Sequence, residues 1–166
     1  MPPGSALHPD TLSAASYRDS HRAPLTHPSA GVVDLFFAVF GHHPAWMKAA
    51  IRARNRVVRA LGLQVPAESN QFDGPRRAAY RVGDTIGRWP IFLLNEQELI
   101  AGRDSSHLDF RVSVLRQVQD GQAWVTISTV CKVHNRFGKA YLRCVLPFHR
   151  PGLKFIIRRA MRAGRL

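Results

Sequence analysis

The stretch HLDFRVSVLRQVQDGQAWVTISTVCKVH, residues 107 to 134, decides how the rest of the chain must be read. It holds two runs rich in Val, Ile and Thr on either side of Asp120-Gly121, a dipeptide suited to the positive φ angles of a two-residue hairpin turn. Such a turn fixes a register. Val114 falls opposite Ile127, Val112 opposite Thr129, Phe110 opposite Cys131 and Leu108 opposite Val133, and this face is almost wholly apolar. The alternate face pairs Asp109 with Lys132, a favourable cross-strand contact, and His107 with His134. A slip of one residue would destroy both patterns, so the register tests the strand assignment.

A sheet with one apolar face has to be covered, and the cover available is the C-terminal segment, a helix from Phe137 to about Ala163. Tyr141, Cys144, Val145 and Phe148 make an apolar stripe in its first half, and Leu153, Ile156, Ile157 and Ala160 do so in its second. Pro147 and Pro151 each remove a backbone donor and clash with the preceding turn, so a kink or break is expected around Phe148–Arg150.

Upstream of the hairpin, Trp89–Leu94 and Glu98–Ala101 read as strands joined by a tight turn at Asn95–Gln97, with Ala78–Ile86 a weaker candidate. Gln64 to Arg77, with two prolines and a glycine, reads as a connecting loop. Two helices come earlier. Ser29 is a plausible N-cap for one running through Phe40 and stopped by Gly41; Pro44 opens the second, which runs to about Leu61 with Gly62 as its stop. In that second helix Met47, Ala50, Ile51, Val57, Val58 and Leu61 recur on one side, and Lys48, Arg52, Arg56 and Arg59 on the other. Ser16–Ala23 reads as a short first strand, and residues 1–15 as a flexible tail before a single domain spanning 16–166. The expected fold class is α+β: a curved antiparallel sheet wrapped around a long C-terminal helix, with two short helices after the first strand.

The runs His107-Leu108-Asp109-Phe110-Arg111, His134-Asn135-Arg136-Phe137-Gly138, Tyr141-Leu142 and Pro147-Phe148-His149-Arg150 resemble a bacterial family catalogued only as a domain of unknown function. That family is similar in turn to the START and polyketide-cyclase helix-grip superfamily. The resemblance covers about residues 15 to 163, including Pro44-Ala45-Trp46-Met47 and Arg54-Asn55-Arg56. It implies a helix-grip fold with a hydrophobic pocket, and it carries no catalytic residue across. Related domains also form tails on NAD-binding proteins of short-chain-dehydrogenase type, but this sequence has no Gly-x-Gly-x-x-Gly segment.

Charge is segregated along the chain. The net charge is +13 over 166 residues, and Gly121 to Leu166 carries ten Lys/Arg with no Asp or Glu. Leu35 to Ala67 is a second acid-free block with five, whereas Glu68 to Asp120 holds eight acids against seven Lys/Arg. The helices therefore hold the excess, and their fields would attract a polyanion. No Cys/His finger spacing, RNA-binding strand motif or helix-turn-helix is present, so the plain reading is a basic, solvated outer helix face, and among acidic partners an anionic membrane surface comes ahead of nucleic acid. The longest apolar run, Leu35–Phe40, is too short to cross a bilayer, and no secretory h-region opens the sequence, so a cytoplasmic protein is expected. Its two cysteines, Cys131 and Cys144, are expected to be reduced and structural.

Candidate sites divide into polar and apolar. His107, Asp109 and His134 share a face in the derived register and could form a two-histidine, one-carboxylate metal site. With Lys132 and Asn135 beside them, a structural hydrogen-bond cluster accounts for them better, and neither a metal nor another cofactor is expected. His149 lies between the two prolines, placed to cap freed carbonyls or to line a cavity mouth. Phe36, Phe40, Trp89, Phe92, Phe110 and Tyr141 are expected to point inward, and with Val112, Ile127 and Phe148 to line a cavity for a small hydrophobic or amphipathic ligand. The competing functions are a cyclase- or hydratase-type enzyme, which requires a titratable residue inside that cavity, and attachment to an anionic membrane surface.

Overall fold

The computed structural model describes residues 2–7, 13–60, 76–87 and 89–166. Its elements run β1 (Tyr17–Pro24), α1 (Val32–Phe40), α2 (Ala45–Ala60), β2 (Thr85–Ile86), β3 (Trp89–Leu94), β4 (Glu98–Arg103), β5 (Leu108–Gln119), β6 (Gln122–Val133) and α3 (Arg136–Arg162). One antiparallel sheet has the order β1-β6-β5-β4-β3-β2, so a meander is closed on one side by the first strand.

The central hairpin has the register derived from its turn, with Phe110 opposite Cys131 and Val112 opposite Thr129. Asp120 at φ 52° and Gly121 at φ 75° form that turn; an L residue with a longer side chain than Asp or Asn would be strained at either position. β1 then lies against β6 with Tyr17 opposite Cys131, Asp19 opposite Thr129 and His21 opposite Ile127. Odd-numbered residues of β1 thus join the concave face already held by Phe110, Val112 and Val114. On this face Leu35, Phe36 and Val39 of α1 pack with Leu153, Ile156, Ile157 and Ala160 of α3 to form the main core.

Several expectations are corrected. The α1 N-cap is Gly31, with no side-chain cap, so the helix begins two residues later than a Ser29 cap allows. The strand proposed at Ala78–Ile86 contracts to Thr85–Ile86, since Arg81 to Asp84 instead forms a turn in which the Asp84 carboxylate accepts from the Arg81 amide at 2.9 Å. α3 runs without a break through Pro147 and Pro151. Each proline costs about 3 kcal/mol in a helix interior, so packing against the sheet holds this helix together against its own sequence. The side chains of Val57, Val58 and Arg59, together with Leu61, the Gly62 stop and most of the Gln64–Arg77 loop, lie outside the described residues.

The sheet is covered on its outer face as well. Leu7 packs there with Ile100 and Val130, and the Glu98 carboxylate accepts from the Ser5 hydroxyl at 2.6 Å, the Ala6 amide at 2.6 Å and the Ser113 hydroxyl. Residues 2–7, part of the stretch read from composition as a tail, are therefore the outer layer over β4, β5 and β6. Ser113, Ser128 and Thr126 are buried beneath or beside it, and Glu98 is the carboxylate this face encloses with them.

Candidate functional site

Tyr17, Asp19 and His21 extend from β1 toward α3, where His149 and Arg150 meet them. The Tyr17 hydroxyl donates to Asp19 Oδ2 at 2.6 Å and accepts from Arg150 Nε at 3.2 Å. His21 Nε2 stands 3.4 Å from the same Asp19 oxygen and His149 Nε2 3.9 Å from it. The His149 ring packs edge-on against Tyr17, with 5.9 Å between ring centroids. One carboxylate oxygen is thus the hub of two imidazoles, a phenol and, through that phenol, a guanidinium.

The group is partly buried, with the His21 and His149 side chains 18% and 28% exposed, and it is incompletely paired. Only 10% of the Asp19 side chain is exposed, yet Asp19 Oδ1, His21 Nε2 and His149 Nε2 are buried with no hydrogen-bond partner among the described residues. Leaving a buried polar group unpaired costs about 1–3 kcal/mol, so three together are a marked local expense in stability. Burial holds the His149 imidazole below the ordinary histidine range, against the opposing pull of the Asp19 charge. Burial also pushes the Tyr17 hydroxyl up to about 12, and its hydrogen bond to Asp19 adds to this. A neutral imidazole able to accept a proton and a phenol held protonated are thereby set around one carboxylate.

The cluster expected at His107, Asp109 and His134 is elsewhere and is satisfied. His134 Nε2 lies 2.8 Å from Asp109 Oδ2, and Asp109 Oδ1 accepts from the Ser105 amide at 3.1 Å. Lys132 pairs with Asp109 along the backbone ladder, but these are the partners of the carboxylate. Asn135 is the N-cap of α3, its side-chain oxygen accepting from the Gly138 amide at 2.9 Å and its amide donating to the Ser106 carbonyl. His107 packs its ring against Phe137 and Tyr141. Among the described residues, no group of three His, Cys, Asp or Glu side chains has the arrangement of a metal site.

Of the residues expected to line a cavity, Phe36, Phe40, Val112 and Ile127 are buried, and Trp89 packs edge-on against Phe36, Phe40 and Phe110. Tyr141 borders a smaller cluster of Tyr17, Leu108, Cys131 and Leu142. Phe92 and Phe148 do not line the interior. Phe92 alternates outward from buried Ile91 and is covered by the Arg111 guanidinium, 3.7 Å from its ring centre. Phe148 is 77% exposed, because the inward side of α3 holds buried Leu142 and Leu153 with partly buried Leu146 and His149 rather than the Cys144–Phe148 side. His149 is the one expected polar residue that reaches the inner cluster. Tyr17, Asp19 and His21 were missed; the only available signal was their alternation along β1, and it becomes informative once β1 is set beside β6.

A curved antiparallel sheet gripping one long C-terminal helix, with acid–base side chains between them, places the molecule among α+β proteins of helix-grip type. The chain belongs to the family described as Protein of unknown function (DUF2867), which it matches over residues 11–156. No curated protein matches it.

Proposed function

We propose that the protein binds a small amphipathic molecule between the concave sheet face and α3. Its polar group is taken by Asp19, His21 and His149, and its apolar part rests toward Trp89, Phe110 and Val112. The observation that carries this reading is the convergence of three buried, unpaired polar atoms around Asp19, because a fold retains such a defect where a ligand or substrate completes it. The resemblance of its family to the START and polyketide-cyclase superfamily, which carries a pocket as an expectation, supports the same reading. We read the protein as cytoplasmic, in keeping with its free cysteines.

A second reading, acid–base catalysis on that molecule, is favoured by one observation: His149 is held neutral by burial beside a carboxylate and a protonated phenol. Native mass spectrometry of the purified protein tests the first reading. A co-purifying small molecule is expected, lost in the double variant Asp19→Leu with His149→Leu. If the wild type carries none, and a panel of fatty acids and aromatic amphiphiles leaves the His21 and His149 ring resonances unmoved, the site has no such ligand.

A further inference from the structure

α3 has apolar residues on two opposite sides. Leu142, Leu153, Ile156, Ile157 and Ala160 face the core. Cys144, Phe148, Pro151 and Phe155, spaced by four, three and four residues, form a ridge on the far side, and all four are exposed. The indole of Trp46, at the start of α2, stands beside this ridge with its ring centroid 5.4 Å from that of Phe155. Exposed large aromatics on one continuous surface are unusual in a soluble domain that has buried a full core elsewhere.

What surrounds the ridge identifies the partner. Arg143, Lys154, Arg158 and Arg162 flank it on α3 and are exposed, and neither α2 nor α3 contains an acidic residue. Aromatic side chains in the middle with long cationic ones at the margins suit the boundary between headgroups and acyl chains, where the rings insert and the cations reach phosphates. A protein partner would have to match both features, whereas nucleic acid would leave the aromatic ridge without a role, since no described motif unstacks bases onto it.

We infer that the outer face of α3, with Trp46, is a docking surface for an anionic lipid bilayer. It lies flat in the interface and does not span it; no helix among the described residues is long and apolar enough to cross a membrane. The inference is independent of the small-molecule site, because Phe148 and His149 are neighbours in sequence on different sides of the helix.

Co-sedimentation of the full chain with vesicles tests it, using phosphatidylcholine alone and phosphatidylcholine mixed with phosphatidylserine. Binding to the mixed vesicles, weakened by high salt, is expected, together with a blue shift of tryptophan fluorescence that disappears in Trp46→Phe. Phe148→Ser with Phe155→Ser should weaken that binding roughly ten-fold, while Phe148→Ser alone, at a ring 77% exposed, should weaken it without moving the thermal unfolding midpoint. Lys154→Glu with Arg158→Glu should abolish it. Equal binding to both vesicle types, no binding to either, an unshifted Trp46, or tighter salt-sensitive binding to DNA than to vesicles would overturn the inference.

Discussion

Two groups of histidine and aspartate are built from the same residue types and differ in what surrounds them. Where β5 and β6 meet the start of α3, Asp109 and His134 are about a quarter to a third exposed, and the described partners match both carboxylate oxygens. Beneath α3, Asp19 is nearly enclosed and three polar atoms around it have no described partner. The first arrangement closes a junction between strand and helix. The second leaves hydrogen-bonding capacity unused among the described residues, at a cost in stability. Residue type alone does not separate the two groups; the enclosure of the central carboxylate and the pairing around it do.

The comparison can be broken at the junction first. Gly138 sits so close to β5 that a Cβ there would run into the His107 carbonyl oxygen, a backbone atom that cannot swing aside. Gly138→Ala should destabilise the protein by about 1–3 kcal/mol, read from the urea midpoint. Unchanged stability would mean that α3 does not start against the hairpin as described. Asp109→Ala removes the partner of His134 and of the Ser105 amide and should cost about 1 kcal/mol, reduced by partial exposure.

The inner group should behave in the opposite sense. His149→Leu replaces a partly buried imidazole whose Nε2 is enclosed and unpaired with an apolar side chain of smaller reach, and its unfolding midpoint should be equal to or above that of the wild type. A loss as large as that of Asp109→Ala would show that His149 is a structural member like its counterpart. The smallest effect concerns pH. Because burial lowers the folded pKa of His149 below the ordinary 6.5, folded and unfolded states bind equal protons above that pH, and the unfolded state binds more below it. Stability should therefore be flat from neutral pH down to about 6.5 and fall beneath it. His42, lowered by burial and then by Arg165 and Arg159, contributes in the same direction. His149→Leu should remove its share of the fall, and an unchanged profile would place His149 in a wetter environment than the structure gives it.

Much of the architecture was legible in the residues because strand and turn signals are local. Asp120-Gly121 demands one turn, that turn dictates one register, and the register aligns Leu108, Phe110, Val112 and Val114 with Val133, Cys131, Thr129 and Ile127. Helix ends at Gly41, where a Cβ would crowd the Phe37 carbonyl, and at Pro44, with its missing donor, are equally local matters. The choice between the two sides of α3 was not local. Cys144 with Phe148 and Leu142 with Leu146 both satisfy helical spacing, and the buried side includes the polar His149, so hydropathy favoured the wrong stripe. The same limit hid the inner cluster: Tyr17, Asp19 and His21 alternate with Arg18, Ser20 and Arg22, two polar faces between which periodicity cannot choose. Pairing β1 with β6 and laying α3 across both decided the matter, since only contacts between residues more than a hundred positions apart determine which polar side chains lose their water.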